Sequence, residues 1–225
     1  MDPHDNMGLA HFLEHMLFLG SEKYPIDNFF DNHVKKHGGY TNAYTSTFET
    51  VYFFECNTDG ITLACDCFSE FFKKPLFNKD CVKREINAIN SEHVKNLDNK
   101  IFRIRHHIFN QSTNDILNKF YTGNLQSFNK NVRNAMIKFY KKYYIAENIT
   151  ICIQSSLDID NIEKLLEPFK SVSTLNTKFT DYDFSFDKPL LKKKQYMSTL
   201  EAVGDINEII FYFEIDYTKN IFKSL

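Results

Sequence analysis

The chain has 225 residues, enough for one sizeable domain with a buried core, or for one domain and the beginning of a second. Hydrophobic residues make up 43% and aromatics 16%, with 23 Phe, which excludes a disordered composition and describes a soluble, globular class. Lys plus Arg number 27 against 29 Asp plus Glu, so the summed field gives no reason to expect nucleic acid or anionic lipid as a partner.

Residues 8–19 are good helix formers, apolar on nearly every side, and predict a buried helix that stops at Gly20. Pro25 opens a new segment in which Phe29, Phe30 and Val34 recur at helical spacing until Gly38 and Gly39 end it. Residues 40–57, rich in Thr, Tyr, Val and Phe, predict two strands or one bent strand, broken near 46–49. Helical patterns return at 60–73, 79–97, 100–109 and 132–143. Residues 149–154 are a short strand candidate, and Asp158 is the expected N-cap of a further helix. Residues 174–194 lack a clear period and resemble a linker containing the basic run Lys192 to Lys194; residues 208–216 are again strand-like. Helices mixed with sparse strands predict an α+β fold in which helices pack on one mainly antiparallel sheet.

Five Cys, at 56, 65, 67, 81 and 152, form no C-x-x-C pair, and an odd count cannot close entirely into internal disulfides. A reducing, cytoplasmic compartment is the expectation. No apolar run approaches the roughly 20 residues needed to span a bilayer, and the opening Met1-Asp2-Pro3-His4 lacks a basic and apolar leader.

His11, Glu14 and His15 spell H-x-x-E-H on the first predicted helix. At about 100° per residue, the two histidines lie roughly 40° apart on one face and a turn apart in height, so two imidazoles can grip one metal ion. Glu14 beside them can accept a proton from a water that the metal has acidified, producing the nucleophile for attack on a peptide carbonyl. A catalytic zinc site takes a third protein ligand and leaves one position for water. The helix at 79–97 offers Glu85 and Glu92, about 20° apart on one face; on spacing alone either carboxylate can point inward.

The run at 8–25, Gly-Leu-Ala-His-Phe-Leu-Glu-His-Met-Leu-Phe-Leu-Gly-Ser-Glu-Lys-Tyr-Pro, resembles the active-site segment of the insulinase (pitrilysin, M16) metallopeptidase family, nearest to its insulin-degrading branch. The resemblance implies an M16-like catalytic domain over 1–185, with its first strands missing, and over 186–225 a linker and the start of a second such domain. His15 and Glu92 are separated by 76 residues, the spacing at which the family carries its third ligand, within Arg-Glu-Ile-Asn-Ala-Ile-Asn-Ser-Glu-His at 84–93. By similarity, His11, His15 and Glu92 are the ligands of one Zn2+, Glu14 is the general base and Glu85 its acidic helper.

A third block, Gly-Gly-Tyr-Thr-Asn-Ala-Tyr-Thr-Ser at 38–46, resembles the family's substrate-binding edge strand, with Asn42, Ala43 and Tyr44 at the matching positions and Phe18 as a candidate pocket wall beside the metal. An extended peptide adds its backbone to such an edge, a mode that tolerates varied side chains. The implied function is a zinc-dependent endopeptidase acting on oligopeptides or small unfolded polypeptides. Its implied partners are peptide substrates and a complementary M16 half that supplies oxyanion donors and closes the chamber. The alternatives are a non-catalytic peptide-binding or partner subunit, or an inactive fragment of a larger peptidase.

Overall fold

The computed structural model describes residues 2–113, 117, 119–174, 197–201, 204 and 207–213. The apolar stretch predicted at 8–19 forms α1 (Leu9–Leu17), in which Leu9, Phe12, Leu13, Met16 and Leu17 are buried to 1% exposure or less. Burying each of these side chains is worth about 1.5–3 kcal/mol. The helix start is held from outside: the Asp2 carboxylate accepts hydrogen bonds from the backbone N–H of Gly8 at 2.8 Å and of Ala10 at 2.9 Å. Those are N–H groups near a helix terminus that has no intrahelical acceptors, and a negative charge there complements the helix dipole. Gly8 has φ +90°, and a Cβ on it would stand 2.4 Å from the Cα of Gly123. Two backbones touch at this point.

After α2 (Phe29–Lys36) the chain enters a hairpin of β1 (Tyr40–Thr45) and β2 (Thr50–Glu55), paired antiparallel from Tyr40 opposite Glu55 to Thr45 opposite Thr50. The predicted break at 46–49 is its turn. Alternation puts Thr41, Ala43 and Thr45 on one face of β1, where the Thr41 hydroxyl donates to Asp31 of α2 at 2.8 Å. Tyr52 and Phe54 of β2 join an aromatic layer with Phe30, Phe68, Phe71 and Phe72, ring centroids 5.2–6.4 Å apart.

The helices that pack on the hairpin are α1 and α2; α3 (Ile61–Glu70), α4 (Lys79–Leu97), α5 (Lys100–Asn110), α6 (Val132–Tyr143) and α7 (Ile159–Leu166) follow in chain order. The fold is α+β, helices packed on a small antiparallel sheet. α1 packs against α6 and β1. Asp158 caps α7 as expected, its carboxylate accepting from the Asn161 N–H at 2.9 Å.

The described residues group into two units, one from 1–93 with 120–181 and the other from 94–119 with 182–225. The second contains α5, whose start is capped by the Asn99 side chain, and is tied internally by Lys100 to Glu208 at 2.7 Å and His107 to Ser198 at 2.6 Å.

Two strand expectations are corrected. Residues 149–154 form no strand; Ile149 has extended dihedrals, but no neighbouring strand among the described residues offers a ladder. Residues 208–213 likewise form none, and Ile209, Phe211 and Phe213 are at least 76% exposed. β-branched and aromatic composition fits a pleated surface but becomes a strand only when an edge is available to pair with. Residues 214–216 of that candidate, 175–194 of the expected linker, and the expected boundary at 185 and 186 lie outside the described residues.

The contact between Gly8 and Gly123 sets where α1 sits. Gly8→Ala combines a left-handed backbone penalty with a backbone clash and is expected to cost at least about 2 kcal/mol. Thermal or denaturant unfolding checks this, and an unchanged midpoint would show that α1 is located by other contacts.

Candidate metal centre

On α1 the polar side chains His11, Glu14 and His15 form one stripe of an otherwise apolar helix, and a buried polar group is costly unless partnered. α4 supplies partners because Glu85 and Glu92 flank the fully buried Ile89 at helical spacing, so the face that buries Ile89 also turns both carboxylates inward. Glu92 Oε2 lies 3.6 Å from His11 Nε2 and 3.7 Å from His15 Nε2. The three donor atoms lie within 4.8 Å of one another, and the two imidazole rings meet edge to face with centroids 4.8 Å apart.

The other ring nitrogens are engaged elsewhere. His11 Nδ1 lies 2.7 Å from the carbonyl oxygen of Thr122. A carbonyl only accepts, so Nδ1 carries a hydrogen and Nε2 is the nitrogen that faces Glu92. His15 Nδ1 faces Glu85 Oε2 at 3.4 Å. Glu85 is itself held by Arg84, whose Nε donates to Oε1 at 3.1 Å while its Nη2 donates to Asp27 at 2.9 Å. Partners of this kind fix the tautomer and orientation of metal-binding histidines. Two imidazole nitrogens and one carboxylate oxygen, converging with their far sides tied down, match the donor chemistry of a zinc site with an open position.

Glu14 is 7% exposed, and its Oε2 accepts a hydrogen bond from the Thr45 hydroxyl at 2.5 Å. Burial pushes the Glu14 carboxyl above the ordinary carboxylate value, opposed by the Thr45 bond and by the two histidines. The hydrogen bond from His15 holds Glu85 below it, against burial and with help from Arg84. Burial disfavours the His15 imidazolium, but hydrogen bonds to Glu85 and Glu92 outweigh it and raise the ring from 6.5 to about 9.

Asn42, Ala43 and Tyr44 lie on β1, beside which the described residues place no strand other than β2. The Ser46 N–H donates to Glu49 O at 2.8 Å, and hydrogen-bonded pairs alternate along an antiparallel ladder. The bonded pairs are therefore 44 with 51, 42 with 53 and 40 with 55. The N–H and C=O groups of Thr41, Ala43 and Thr45 point to the open edge, where the Ala43 N–H is met by the Asn42 side-chain oxygen at 2.9 Å. Phe18 packs its ring on Phe71 and Tyr52, centroids 5.1 and 6.2 Å away.

Sequence reasoning singled out neither Thr122 nor Thr45, nor the role of Arg84. Thr45 was within reach, two residues beyond Ala43 on the same face of a predicted strand. Thr122 stands 111 residues from His11 and carries no local signal.

Residues 1–115 match the family model of insulinase (peptidase family M16), and residues 131–224 match that of the M16 peptidase inactive domain. The chain is 45% identical over 170 residues to the A-factor-processing enzyme of Saccharomyces cerevisiae, covering 72% of this chain and 16% of that enzyme. It is 31% identical over 235 aligned residues to the insulin-degrading enzyme of Homo sapiens, covering 99% of this chain and 23% of the other. The crystal structure of pitrilysin superposes with a TM-score of 0.77 at 28% identity, covering 84% of this chain and 20% of pitrilysin. The chain thus spans about a fifth of the length of the relatives it matches.

A metal ion held at His15 would compete with a proton. A raised pKa means that the pairing of imidazolium with Glu85 and Glu92 stabilises the metal-free chain fully below about 6.5 and is lost as pH rises through about 9. Zinc affinity is expected to rise over that window, with about one proton released per ion bound at pH 7, as read by calorimetry in buffers of different ionisation enthalpy. His15→Ala should abolish stoichiometric zinc and Glu85→Gln should weaken it roughly 10- to 100-fold; undiminished zinc in His15→Ala would reject the donor set.

Proposed function

The chain belongs to the insulinase family of M16 peptidases, and from that premise we propose that it carries the centre of a zinc-dependent endopeptidase acting on oligopeptides or small unfolded polypeptides. The observation that carries the proposal is the convergence of His11 Nε2, His15 Nε2 and Glu92 Oε2 within 4.8 Å, beside a buried carboxylate on the same helix. We assign His11, His15 and Glu92 as the ligands of one Zn2+. Bound there, zinc supplies Lewis acidity that brings a water toward ionisation near neutral pH and polarises a carbonyl.

The chain's own residues do the rest. Glu14 Oε2 is occupied by the Thr45 hydroxyl, so Oε1 is the atom that takes the proton of the attacking water and later passes it to the leaving amine. Burial of Glu14 favours its protonated form and so favours that transfer. Glu85 keeps His15 oriented, and Arg84 keeps Glu85 in place. A peptide entering as an added strand pairs with the open N–H and C=O groups of Thr41, Ala43 and Thr45, displacing the Asn42 side chain from the Ala43 N–H; Tyr44 flanks that edge. Phe18 belongs to the aromatic layer under the site and acts as the floor of a pocket.

A complementary M16 half is the proposed partner, supplying oxyanion donors and solvent exclusion that activated water alone does not provide. The same reading assigns 1–185 to the catalytic domain and 186–225 to the start of its successor. All five cysteines are free, in keeping with a reducing, cytoplasmic setting, and no helix among the described residues is long and apolar enough to cross a membrane.

Two substitutions separate base from ligand. Glu14→Gln keeps size and shape but cannot take the proton, so zinc should stay while peptide cleavage by the zinc-loaded enzyme falls at least roughly 100-fold; Glu92→Gln should lose the metal. Cleavage by Glu14→Gln at the parent rate would sink the mechanism. A third substitution addresses the edge: Ala43→Pro removes one open N–H without touching the β1–β2 ladder, and should raise KM roughly 2- to 10-fold, as initial-rate kinetics on a quenched fluorescent peptide would show.

A further inference from the structure

Behind Glu14 runs a line of hydroxyl groups that the site does not otherwise use. Thr45 Oγ1 donates to Glu14 Oε2 at 2.5 Å and lies 3.2 Å from Thr50 Oγ1, its cross-strand partner. The hydroxyls of Tyr52 and Tyr144 form a separate pair 2.6 Å apart. The line thus joins α1 to both strands of the hairpin.

The direction of these bonds follows from counting protons. Each hydroxyl has one hydrogen to give, and an ionised carboxylate only accepts. With Thr45 donating to Glu14, Thr50 must donate to Thr45. Each donation polarises the next hydroxyl toward the carboxylate, and a bond to a charged acceptor is roughly twice as strong as a neutral one. Thr45 also occupies a special place in the hairpin. Its side chain points inward to Glu14, while its N–H and C=O point to the open edge, because the pair 45 with 50 is a non-bonded pair of the ladder.

We propose that Thr45, backed by Thr50, is the positioning residue of the reaction: it fixes the rotamer of Glu14 so that Oε1 faces the attacking water. A peptide strand bound along β1 grips the backbone of the same residue, so substrate binding and alignment of the base meet at Thr45. The inference rests on the reading of Glu14 as general base.

The test compares Thr45→Val, Thr45→Ser and Thr50→Val in the zinc-loaded enzyme, with Glu14→Gln as the reference for the base itself. Valine keeps the shape of threonine and its fitness for a strand but has no hydroxyl; serine keeps the hydroxyl. Thr45→Val is expected to lower kcat at least about 10-fold, with KM within about twofold, full zinc and a lowered unfolding midpoint, because the buried carboxylate loses its partner. Thr45→Ser should return kcat to within about threefold of the parent. Thr50→Val, one bond further from the carboxylate, should lower kcat about two- to fivefold and serves as the deciding arm if Thr45→Val does not fold. Parent-like kcat in Thr45→Val, a loss confined to KM, or a loss that serine does not restore would overturn the proposal while Glu14→Gln stays inactive. A parent-like Glu14→Gln would instead overturn the reading on which it rests.

Discussion

Everything near the centre follows from one constraint: a helix buried on almost every side carries two imidazoles and a carboxylate that need polar partners. Leu9, Phe12, Leu13, Met16 and Leu17 of α1 are at 1% exposure or less, so the stripe His11, Glu14, His15 is drawn inward whatever its own preference. An unpartnered buried donor or acceptor costs about 1–3 kcal/mol, more if charged. Each of the three has a partner from a different part of the chain: the Thr122 carbonyl for His11, Glu85 and Glu92 for His15, and the Thr45 hydroxyl for Glu14.

The resulting charge balance favours a cation. Three carboxylates, Glu14, Glu85 and Glu92, face two imidazoles, and Arg84 neutralises only the outer side of Glu85. In the metal-free chain the balance is made by a proton on His15, which is why that ring holds it up to about 9. On the proposed zinc reading, a divalent ion would replace that proton, with a larger charge at the same point for the carboxylates to match.

The hairpin divides its labour by the geometry of a strand. Side chains of β1 alternate between faces while its backbone groups alternate between the β2 ladder and the open edge. Thr41 and Thr45 use their side chains to tie the strand to Asp31 of α2 and Glu14 of α1, and the same residues leave their backbone groups free at the edge. An unpaired edge is ordinarily a liability for aggregation; here the Asn42 side chain covers the Ala43 N–H, a polar cover that an incoming backbone can replace.

What the amino-acid sequence determined by itself was local. The i, i+4 spacing of His11 and His15, the seven-residue step from Glu85 to Glu92, the caps and the alternation from Tyr40 to Glu55 are periodicities of one helix or one strand, and all are legible without a fold. The family resemblance selected Glu92 over other carboxylates, which spacing alone left open. The tertiary structure decided which groups close the polar valences of α1. Thr122 and Thr45 reach His11 and Glu14 from other segments, and the strand-like runs at 149–154 and 208–213 found no edge to pair with among the described residues. These outcomes depend on which backbones come close enough to touch, as Gly8 and Gly123 do, and no period in the sequence encodes a contact between residues 115 positions apart, because its position is set by the packing of the apolar faces between them.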